Sequence, residues 1–182
     1  MLNAPPNRLL LDRLATPLGP LLAVTDEFGL LRALWFADGE AEPLLRHSLR
    51  RQYGAVPAES GPAPASIIQA LERYFAGEIA VLSEIPRAAA GTPFQQSVWA
   101  ALTRIPAGAT VSYGALAAKI GTPRAVRAVG TANGANPIAI VVPCHRVIGA
   151  NRALTGYGGG LDRKRWLLAH EGVLLPEPLL TG

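Results

Sequence analysis

The stretch "VSYGALAAKIGTPRAVRAVGTANGANP", residues 111–137, decides how the second half of the chain folds. Ser112 suits an N-cap, and the helix that follows it is predicted to end at Gly121. Thr122 and Pro123 then start a further helix, because proline is favoured in a first turn. Two short helices joined by a tight turn that contains glycine have the proportions of a helix-turn-helix. The stretch therefore predicts a mainly α-helical unit of that type.

The second helix of this stretch is nearly bare of large side chains. Alanine and glycine dominate residues 122–137, and Arg124 and Arg127 are the large exceptions. A helix that reads base edges in the major groove would show several Asn, Gln or Arg side chains. A bare helix lets its backbone approach a narrow groove or a phosphate backbone, with one arginine free to probe the base stack. Tight packing inside the protein's own domain is the alternative that this stretch leaves open.

The composition and pattern of the sequence change near residue 90. "PRAAAG", residues 86–91, has the composition of a linker, and Thr92 stands three residues before Gln95, the spacing of a capping box with Pro93 at the first helical position. The predicted divisions are an N-terminal unit over 1–86, a linker over 87–91, a C-terminal unit over 92–175 and a tail over 176–182.

The N-terminal unit has the pattern of a small α/β scaffold. Two apolar runs, 21–25 and 30–36, flank a short polar turn and predict a hairpin. Helical patterns follow at residues 42–52 and from Ser66, predicted as an N-cap, to Gly77. No cluster of side chains here suggests chemistry, so we predict that this unit braces the other.

Composition restricts the class of protein. Apolar residues make up 49% and charged residues 16% of the 182, which predicts an ordered core. One cysteine cannot form an intrachain disulfide, and with three histidines it predicts no structural zinc site. An N-terminus containing prolines, and no apolar run near the roughly 20 residues of a membrane helix, predict a soluble cytoplasmic protein without a signal peptide.

The positive charge is concentrated in the second half. Residues 1–91 carry 8 Lys and Arg against 10 Asp and Glu, whereas residues 92–182 carry 9 against 3. A localised basic surface favours a polyanionic partner, and nucleic acid is the commonest. A solvated basic face without a partner is the alternative.

The only cysteine lies in "VVPCHRVIG", residues 141–149. The apolar run at 138–142 predicts a buried strand, and Pro143 should end it and leave Cys144 at a turn. A free cysteine is often buried and inert, so this position alone leaves a structural role open. His145 beside it favours chemistry, with a proton relay through one water because neighbouring side chains in extended chain point to opposite faces.

Further members of such a site lie near the end of the chain. His170 and Glu171 follow a basic helix that begins near Asp162. A carboxylate that holds a histidine in one tautomer would complete a set of nucleophile, base and orienting group. Together with Cys144 and His145, these residues supply candidates for all three roles.

Four stretches together resemble the O6-alkylguanine-DNA alkyltransferases, also called methylated-DNA–protein-cysteine methyltransferases. They are "FQQSVWAAL", "VSYGALAAKIGTPRAVRAVGTANGANP", "IVVPCHRVIG" and "LTGYGGGLDRKRWLLAHEG", in the family's order and spacing between residues 92 and 172. The resemblance implies a ribonuclease H-like α/β N-terminal domain and a mainly α C-terminal domain that is winged helix-turn-helix-like. "YFAGE" before the linker is the one local match in the N-terminal half.

The resemblance implies direct-reversal DNA repair by a single-turnover methylated-DNA–protein-cysteine S-methyltransferase. Cys144 would take the alkyl group from O6 of a flipped-out guanine, and the sequence leaves O4-alkylthymine open as a further substrate. His145 would receive the thiol proton through a water, and Glu171 would polarise His145. Asn136 would tie the recognition helix to the active-site turn. Some members carry zinc in the N-terminal domain, but its cysteine ligands are absent here, so we predict no metal and no cofactor.

The resemblance also assigns residues to the base and to the duplex. Tyr113 would bond N3 of the departing guanine and crowd the phosphate, and Arg127 would fill the gap that the flipped base leaves. The partner would be double-stranded DNA, bound through its minor groove by a monomer that does not bind membranes. The remaining predicted contacts are Val147, Tyr157 and Gly158 in the guanine pocket and Gln95 on the DNA.

Two other functions account for part of the sequence. A DNA-binding regulator that uses Cys144 as an alkylation or redox sensor would explain the basic half and the thiol. A Cys-His hydrolase of small amides would explain the thiol but not the bare helix. Relatives that bind alkylated DNA without repairing it lack the cysteine, so Cys144 argues against that branch.

Overall fold

The computed structural model describes residues 5–174, so the predicted tail over 176–182 lies outside the described residues. It is a mixed α/β arrangement with a small sheet and several helices. Its strands are β1 Leu9–Leu14, β2 Leu21–Asp26, β3 Leu31–Phe36, β4 Ala58–Ser60, β5 Val111–Ser112 and β6 Val147–Ile148. Its α-helices are α1 Ala41–Tyr53, α2 Ala65–Phe75, α3 Pro93–Leu102, α4 Tyr113–Lys119, α5 Val126–Gly134 and α6 Leu161–His170, and 3₁₀ helices span Ile79–Glu84 and Cys144–Arg146.

The N-terminal sheet has the strand order β3-β2-β1-β4. The predicted hairpin is present, since β2 and β3 pair antiparallel; β1, which the sequence did not predict, pairs antiparallel with β2, and β4 runs parallel to β1. The central strand β2 is buried on both faces: Leu22 and Val24 pack in the cluster with α1, and Leu21 and Ala23 in the larger core. Strand β2 therefore separates two hydrophobic layers.

The larger core continues from the N-terminal half into the C-terminal half. It includes Leu71 and Tyr74 of α2 together with Val98 of α3 and Leu167 of α6. Fully burying such apolar side chains contributes about 1.5–3 kcal/mol each, so the shared core holds the two halves against each other. The division near residue 90 remains a prediction about the units.

The helix starts of the C-terminal half follow local rules. Thr92 Oγ1 accepts from Gln95 N at 3.2 Å and Gln95 Oε1 accepts from Thr92 N at 2.9 Å, so the predicted capping box is present. Ser112 caps α4, as predicted, by accepting from Ala115 N at 3.1 Å. The predicted cap at Ser66 is wrong, because α2 begins at Ala65 and its N-cap position has no side-chain hydrogen bond.

Helix α5 begins later than predicted. Residues 122–125 form a turn, and the helix starts at Val126, so Arg124 lies in the connection and Arg127 on the helix. Trp99 Nε1 donates to Ala132 O at 2.8 Å and fixes α5 against α3. The two-stranded parallel pair of β5 and β6 lies beside these helices and precedes the loop of residues 155–160.

The apolar run at 138–142 is buried, but the prediction of a strand there is wrong. Ile138 makes an isolated bridge to Leu34 of β3, and the chain then turns so that Val142 N donates to Ile138 O at 2.9 Å. The side chain of Asn136 bonds both backbone groups of Ile138 and the carbonyl of Val142. Such side-chain bonds to a nearby backbone compete with a strand ladder, and here they win.

Candidate active site

Cys144 lies at a turn, as predicted, and begins a one-turn 3₁₀ helix directly after Pro143. Its side chain is buried, and the residue is 6% exposed. Its amide donates to Val142 O at 2.8 Å. Asn133 Nδ2 of α5 reaches its carbonyl at 3.4 Å. The thiol is thus held in a turn that contacts the bare helix.

Asn136 connects α5 to this turn. Its Nδ2 donates to Val142 O at 2.8 Å and lies 3.1 Å from Cys144 Sγ. Its Oδ1 accepts from Ile138 N at 3.0 Å. The amide group therefore fixes the turn and donates toward the sulfur, an arrangement that favours negative charge on the sulfur as a reaction proceeds.

His145 and Arg146 both bond the carboxylate of Glu171, and the three residues form a buried cluster. His145 Nε2 lies 3.0 Å from Glu171 Oε1. Arg146 donates to both oxygens of the same carboxylate, from Nε at 2.7 Å and from Nη2 at 2.9 Å, and also donates to Ile105 O. Tyr74 Oη of α2 donates to Glu171 Oε1 at 3.0 Å. The structure thus joins His145 to Glu171, and the N-terminal half contributes to the cluster.

The carboxylate fixes the tautomer of His145. An ionised carboxylate only accepts hydrogen bonds, so the proton of a neutral His145 ring lies on Nε2. Nδ1 is then the unprotonated nitrogen, and it is buried without a hydrogen-bond partner among the described residues. His145 therefore offers a free basic nitrogen one residue from the thiol.

Burial and hydrogen bonds set the charges of the cluster. Burial raises the pKa of the Cys144 thiol, and the Asn136 amide and the Lys164 ammonium oppose only part of this rise. Burial lowers the pKa of His145 below its usual 6.5, although Glu171 opposes that change. Burial alone would raise the pKa of Glu171, but hydrogen bonds from His145 and Arg146 lower it to about 2. At neutral pH the site therefore holds a thiol, a neutral imidazole and a carboxylate.

Lys164 of α6 is fully buried and was not predicted from the sequence. Its Nζ donates to the carbonyl oxygens of Val147 and Thr155, both at 2.6 Å, and reaches Gly156 O at 3.5 Å. Burial lowers the pKa of Lys164 to about 8, although interaction with Cys144 opposes the change. Lys164 therefore joins the strand after the cysteine to the glycine-rich loop.

Three of the predicted pocket residues, Tyr157, Tyr113 and Val147, lie near His145, near the loop of residues 155–160 and against Lys164, respectively. The ring of Tyr157 stands edge-on to His145 with the ring centres 6.4 Å apart. Tyr113 begins α4, and its hydroxyl would lie 3.3 Å from a Cβ added at Gly156, so it approaches the same loop. The carbonyl of Val147 already accepts from Lys164, which leaves one lone pair for a ligand.

The predicted DNA contacts differ in exposure: Arg127 is exposed on α5, whereas Tyr113 and Gln95 are half-buried. Gly158, which is predicted in the guanine pocket, is exposed in the loop. The side-chain oxygen of Gln95 caps α3, which gives this residue a structural use and leaves its DNA contact a prediction. His170 does not bond the cluster of His145, Arg146 and Glu171: its Nε2 donates to Tyr74 O at 2.7 Å, and its ring stacks on Trp166.

Among residues 5–174, no group of three or more His, Cys, Asp or Glu side chains is placed to hold a metal ion. No described helix is both long and apolar enough to cross a membrane.

Comparison with known proteins covers nearly the whole chain. A family model described as "6-O-methylguanine DNA methyltransferase, DNA binding domain" matches residues 93–173. A methylated-DNA–protein-cysteine methyltransferase of Salmonella typhimurium is 53% identical over 171 residues, which cover 92% of this chain and 98% of that protein.

Solved structures agree with this comparison. The Mycobacterium tuberculosis O6-methylguanine methyltransferase has a TM-score of 0.77 and 43% identity, over 94% of this chain and 97% of that one. A structure of Mycobacterium tuberculosis OGT in complex with DNA has a TM-score of 0.74 and 42% identity, over 90% of this chain and 92% of that one. These similarities extend through both halves and include the cysteine turn. The chain belongs to the methylated-DNA–protein-cysteine methyltransferase family.

Proposed function

We propose that this protein repairs O6-alkylguanine in DNA by direct reversal, with Cys144 as the acceptor. The sulfur attacks the alkyl carbon, a C–S bond forms as the C–O6 bond breaks, and the bonding electrons stay with guanine. The thiol proton passes through one water to Nδ1 of His145. Guanine, which keeps the bonding electrons, takes up one proton from solvent, and His145 then releases its extra proton to solvent, so the protons balance. The thioether is a poor leaving group, so each molecule reacts once and the alkyl group stays on Cys144.

The observation that carries this proposal is the buried cluster around the thiol. Neutral His145 has its free nitrogen on the side away from Glu171, and that carboxylate stabilises the imidazolium that forms when the proton arrives. Asn136 donates toward Cys144 Sγ at 3.1 Å and stabilises charge that develops there. The proposed nucleophile is thus contacted by the Asn136 amide, and the proposed base by its orienting carboxylate.

On the DNA side, we infer that α4 and α5 act as the helix-turn-helix of a winged unit that enters the minor groove. The small exposed residues of α5 allow close approach, and Arg127 is free to occupy the gap left by a flipped base. Tyr113, Val147, Tyr157 and Gly158 would then enclose that base, and Gln95 would contact the backbone. Related structures named as a DNA complex support DNA as the partner.

We also propose a fold for each half of the chain, a cellular location and an oligomeric state. The N-terminal sheet with α1 and α2 is taken as a ribonuclease H-like unit over residues 1–86, and residues 92–175 as the DNA-binding and alkyl-accepting unit. The protein would act as a cytoplasmic monomer, without metal or cofactor. The single cysteine suits a reducing compartment.

Intact mass spectrometry tests the proposed function. The protein is incubated with an excess of a duplex that carries O6-methylguanine, and its mass is followed over time. We expect a gain of one methyl group, located on Cys144 by peptide mapping, that saturates at one equivalent. Repeated turnover would contradict the proposal, and tight binding without a change in mass would favour the sensor instead.

The pH dependence of alkyl transfer should follow His145. Because burial lowers the pKa of His145 below 6.5 and raises that of Cys144 above 9.0, neither group changes charge between those values. We expect the single-turnover rate at saturating duplex to be flat from pH 6.5 to 7.5, below the pKa of about 8 of the buried Lys164, and to fall at lower pH as His145 becomes protonated. A rate already halved at pH 6.5 would show that the pKa of His145 is not lowered.

Replacing Arg127 with alanine should separate base flipping from chemistry. The Arg127 guanidinium is exposed and lies outside the Cys144 cluster. We expect repair in duplex DNA to slow by about tenfold or more, because the flipped state loses the group that fills the stack. Reaction with free O6-benzylguanine should be nearly unchanged. An equal loss on both substrates would instead assign Arg127 to the pocket.

A further inference from the structure

Arg163, in the first turn of α6, joins the N-terminal sheet to the loop of residues 155–160. Its Nε donates to Leu18 O at 2.8 Å, and its two terminal nitrogens bond the Asp38 carboxylate, with Nη2 to Oδ1 at 2.9 Å. Nη1 also donates to Gly159 O of the loop at 3.2 Å. One side chain therefore connects two segments of the first half to the loop.

Phe36, at the end of β3, packs directly against the same loop. The Arg163 guanidinium carbon lies 4.3 Å from the centre of the Phe36 ring. A Cβ added at Gly159 would lie 2.5 Å from two carbons of that ring, so the glycine backbone is in close contact with it. Tyr157 stands edge-on to Phe36, with the ring centres 6.2 Å apart, and its ring also stands edge-on to the ring of His145. The position of Tyr157 thus depends on a residue of the N-terminal sheet.

Lys164, the next residue of α6, also bonds the loop, and its partners lie in the second half of the chain. Lys164 Nζ donates to carbonyls at the start of the loop and to Val147 O, all within the second half. The partners of Arg163 outside the loop, namely Leu18, Phe36 and Asp38, belong to the first half. Only the outer attachment of the loop therefore depends on the N-terminal unit.

We propose that Arg163, Asp38 and Phe36, which we call the loop clamp, set the width of the alkyl-accepting pocket and so favour small alkyl groups. This inference rests on the proposed function, in which Tyr157 and Gly158 line that pocket. While the contacts of the loop clamp persist, the loop stays close to His145. A Cβ added at Gly158 would meet nothing within 4 Å, so a released loop has open space beside it.

The loop clamp consists of positioning residues, since its contacts are with the loop and not with the thiol. The ion pair alone contributes little, because the Asp38 side chain is 57% exposed. The stacked Phe36 ring and the bond to Leu18 O hold the guanidinium in place as well. Removing Arg163 should therefore release the loop more than removing Asp38 does.

Two variants of the full chain, Arg163→Ala and Asp38→Ala, test this role. Arg165→Ala is the matched control, because Arg165 is exposed on α6 and its loss removes the same charge. The rate constants of Cys144 alkylation are measured with duplexes that carry O6-methylguanine or O6-benzylguanine in the same sequence.

We expect the benzyl-to-methyl rate ratio to rise about tenfold in Arg163→Ala, the effect of a small change in pocket size. The rise should be smaller in Asp38→Ala and absent in Arg165→Ala. An unchanged ratio in Arg163→Ala overturns the proposal, even where both rates fall together. If Arg163→Ala does not fold, Asp38→Ala tests the proposal instead, because Asp38 is exposed and its loss should leave the fold intact. An unchanged rate ratio in that variant then overturns the proposal.

Amide hydrogen exchange gives a second readout that needs no repair activity. Exchange in residues 155–160 should be faster in Arg163→Ala and Asp38→Ala than in the wild type or in Arg165→Ala. Unaltered exchange in both variants contradicts the clamp. A wild-type protein that takes up no methyl group would refute the proposed function instead, and the exchange data would still show whether the clamp holds the loop.

Discussion

Replacing Cys144 with serine is expected to abolish methyl uptake completely while the fold and DNA binding remain. The sulfur is the acceptor, and a serine hydroxyl is a weak nucleophile whose proton a neutral imidazole does not remove readily. Deletion of a nucleophile in other enzymes has cost roughly 10⁶-fold in rate, and here no second cysteine exists to substitute. Intact mass after prolonged incubation with the methylated duplex measures the effect.

The serine variant also keeps the local hydrogen bonds. Asn136 Nδ2, 3.1 Å from Cys144 Sγ, retains an acceptor in a hydroxyl, and its bond to Val142 O is untouched. We therefore expect unchanged melting and an affinity for methylated duplex close to that of the wild type. Methyl uptake by the variant would reveal a different acceptor, and loss of DNA binding would show that the thiol supports the fold of the DNA-binding surface.

The parts of the structure that depend on neighbouring residues could be predicted from the sequence. The capping box of Thr92 and Gln95 and the cap at Ser112 involve atoms three residues apart, so residue identity nearly determines them. The run at 138–142 was predicted as buried and is buried, but its backbone follows the amide of Asn136 instead of a ladder. The hydrophobic pattern predicts that this run is buried, but its backbone conformation is determined by hydrogen bonds from the side chain of Asn136.

The parts of the site that depend on distant residues could not be predicted in the same way. Tyr74 reaches Glu171 across 97 residues, and the pattern of α2 shows only that Tyr74 lies on an apolar face. Lys164 belongs to a basic run that is typical of a solvated helix. Yet Lys164, Leu167 and Glu171 share one helical face, which places a lysine and a glutamate on the buried side. Charged residues on an apolar face were the signal available in the sequence.

Replacing Glu171 with glutamine should cost both stability and repair rate. Glu171 has a pKa of about 2 in the fold against a usual 4.5, so its ionisation stabilises the fold above pH 4.5 and this contribution is lost as pH falls toward 2. At pH 7 the contribution is fully present. Glutamine leaves the buried Arg146 guanidinium without a counter-charge, and the NH2 group that replaces one carboxylate oxygen is a donor that faces Arg146. We expect a loss of about 3–5 kcal/mol in the free energy of unfolding at pH 7, measured with urea.

The rate of alkyl transfer should fall in the same variant by about 10²-fold or more, because proton transfer to His145 loses the charge that stabilises the imidazolium. Tyr74→Phe is the matched control: it removes one donor to Glu171 but keeps both bonds from Arg146. That variant should lose only about 1 kcal/mol and react at a rate close to that of the wild type. If Glu171→Gln repairs as fast as Tyr74→Phe under conditions where both are folded, the carboxylate holds the fold together without assisting His145, and the proton must leave the thiol by another route.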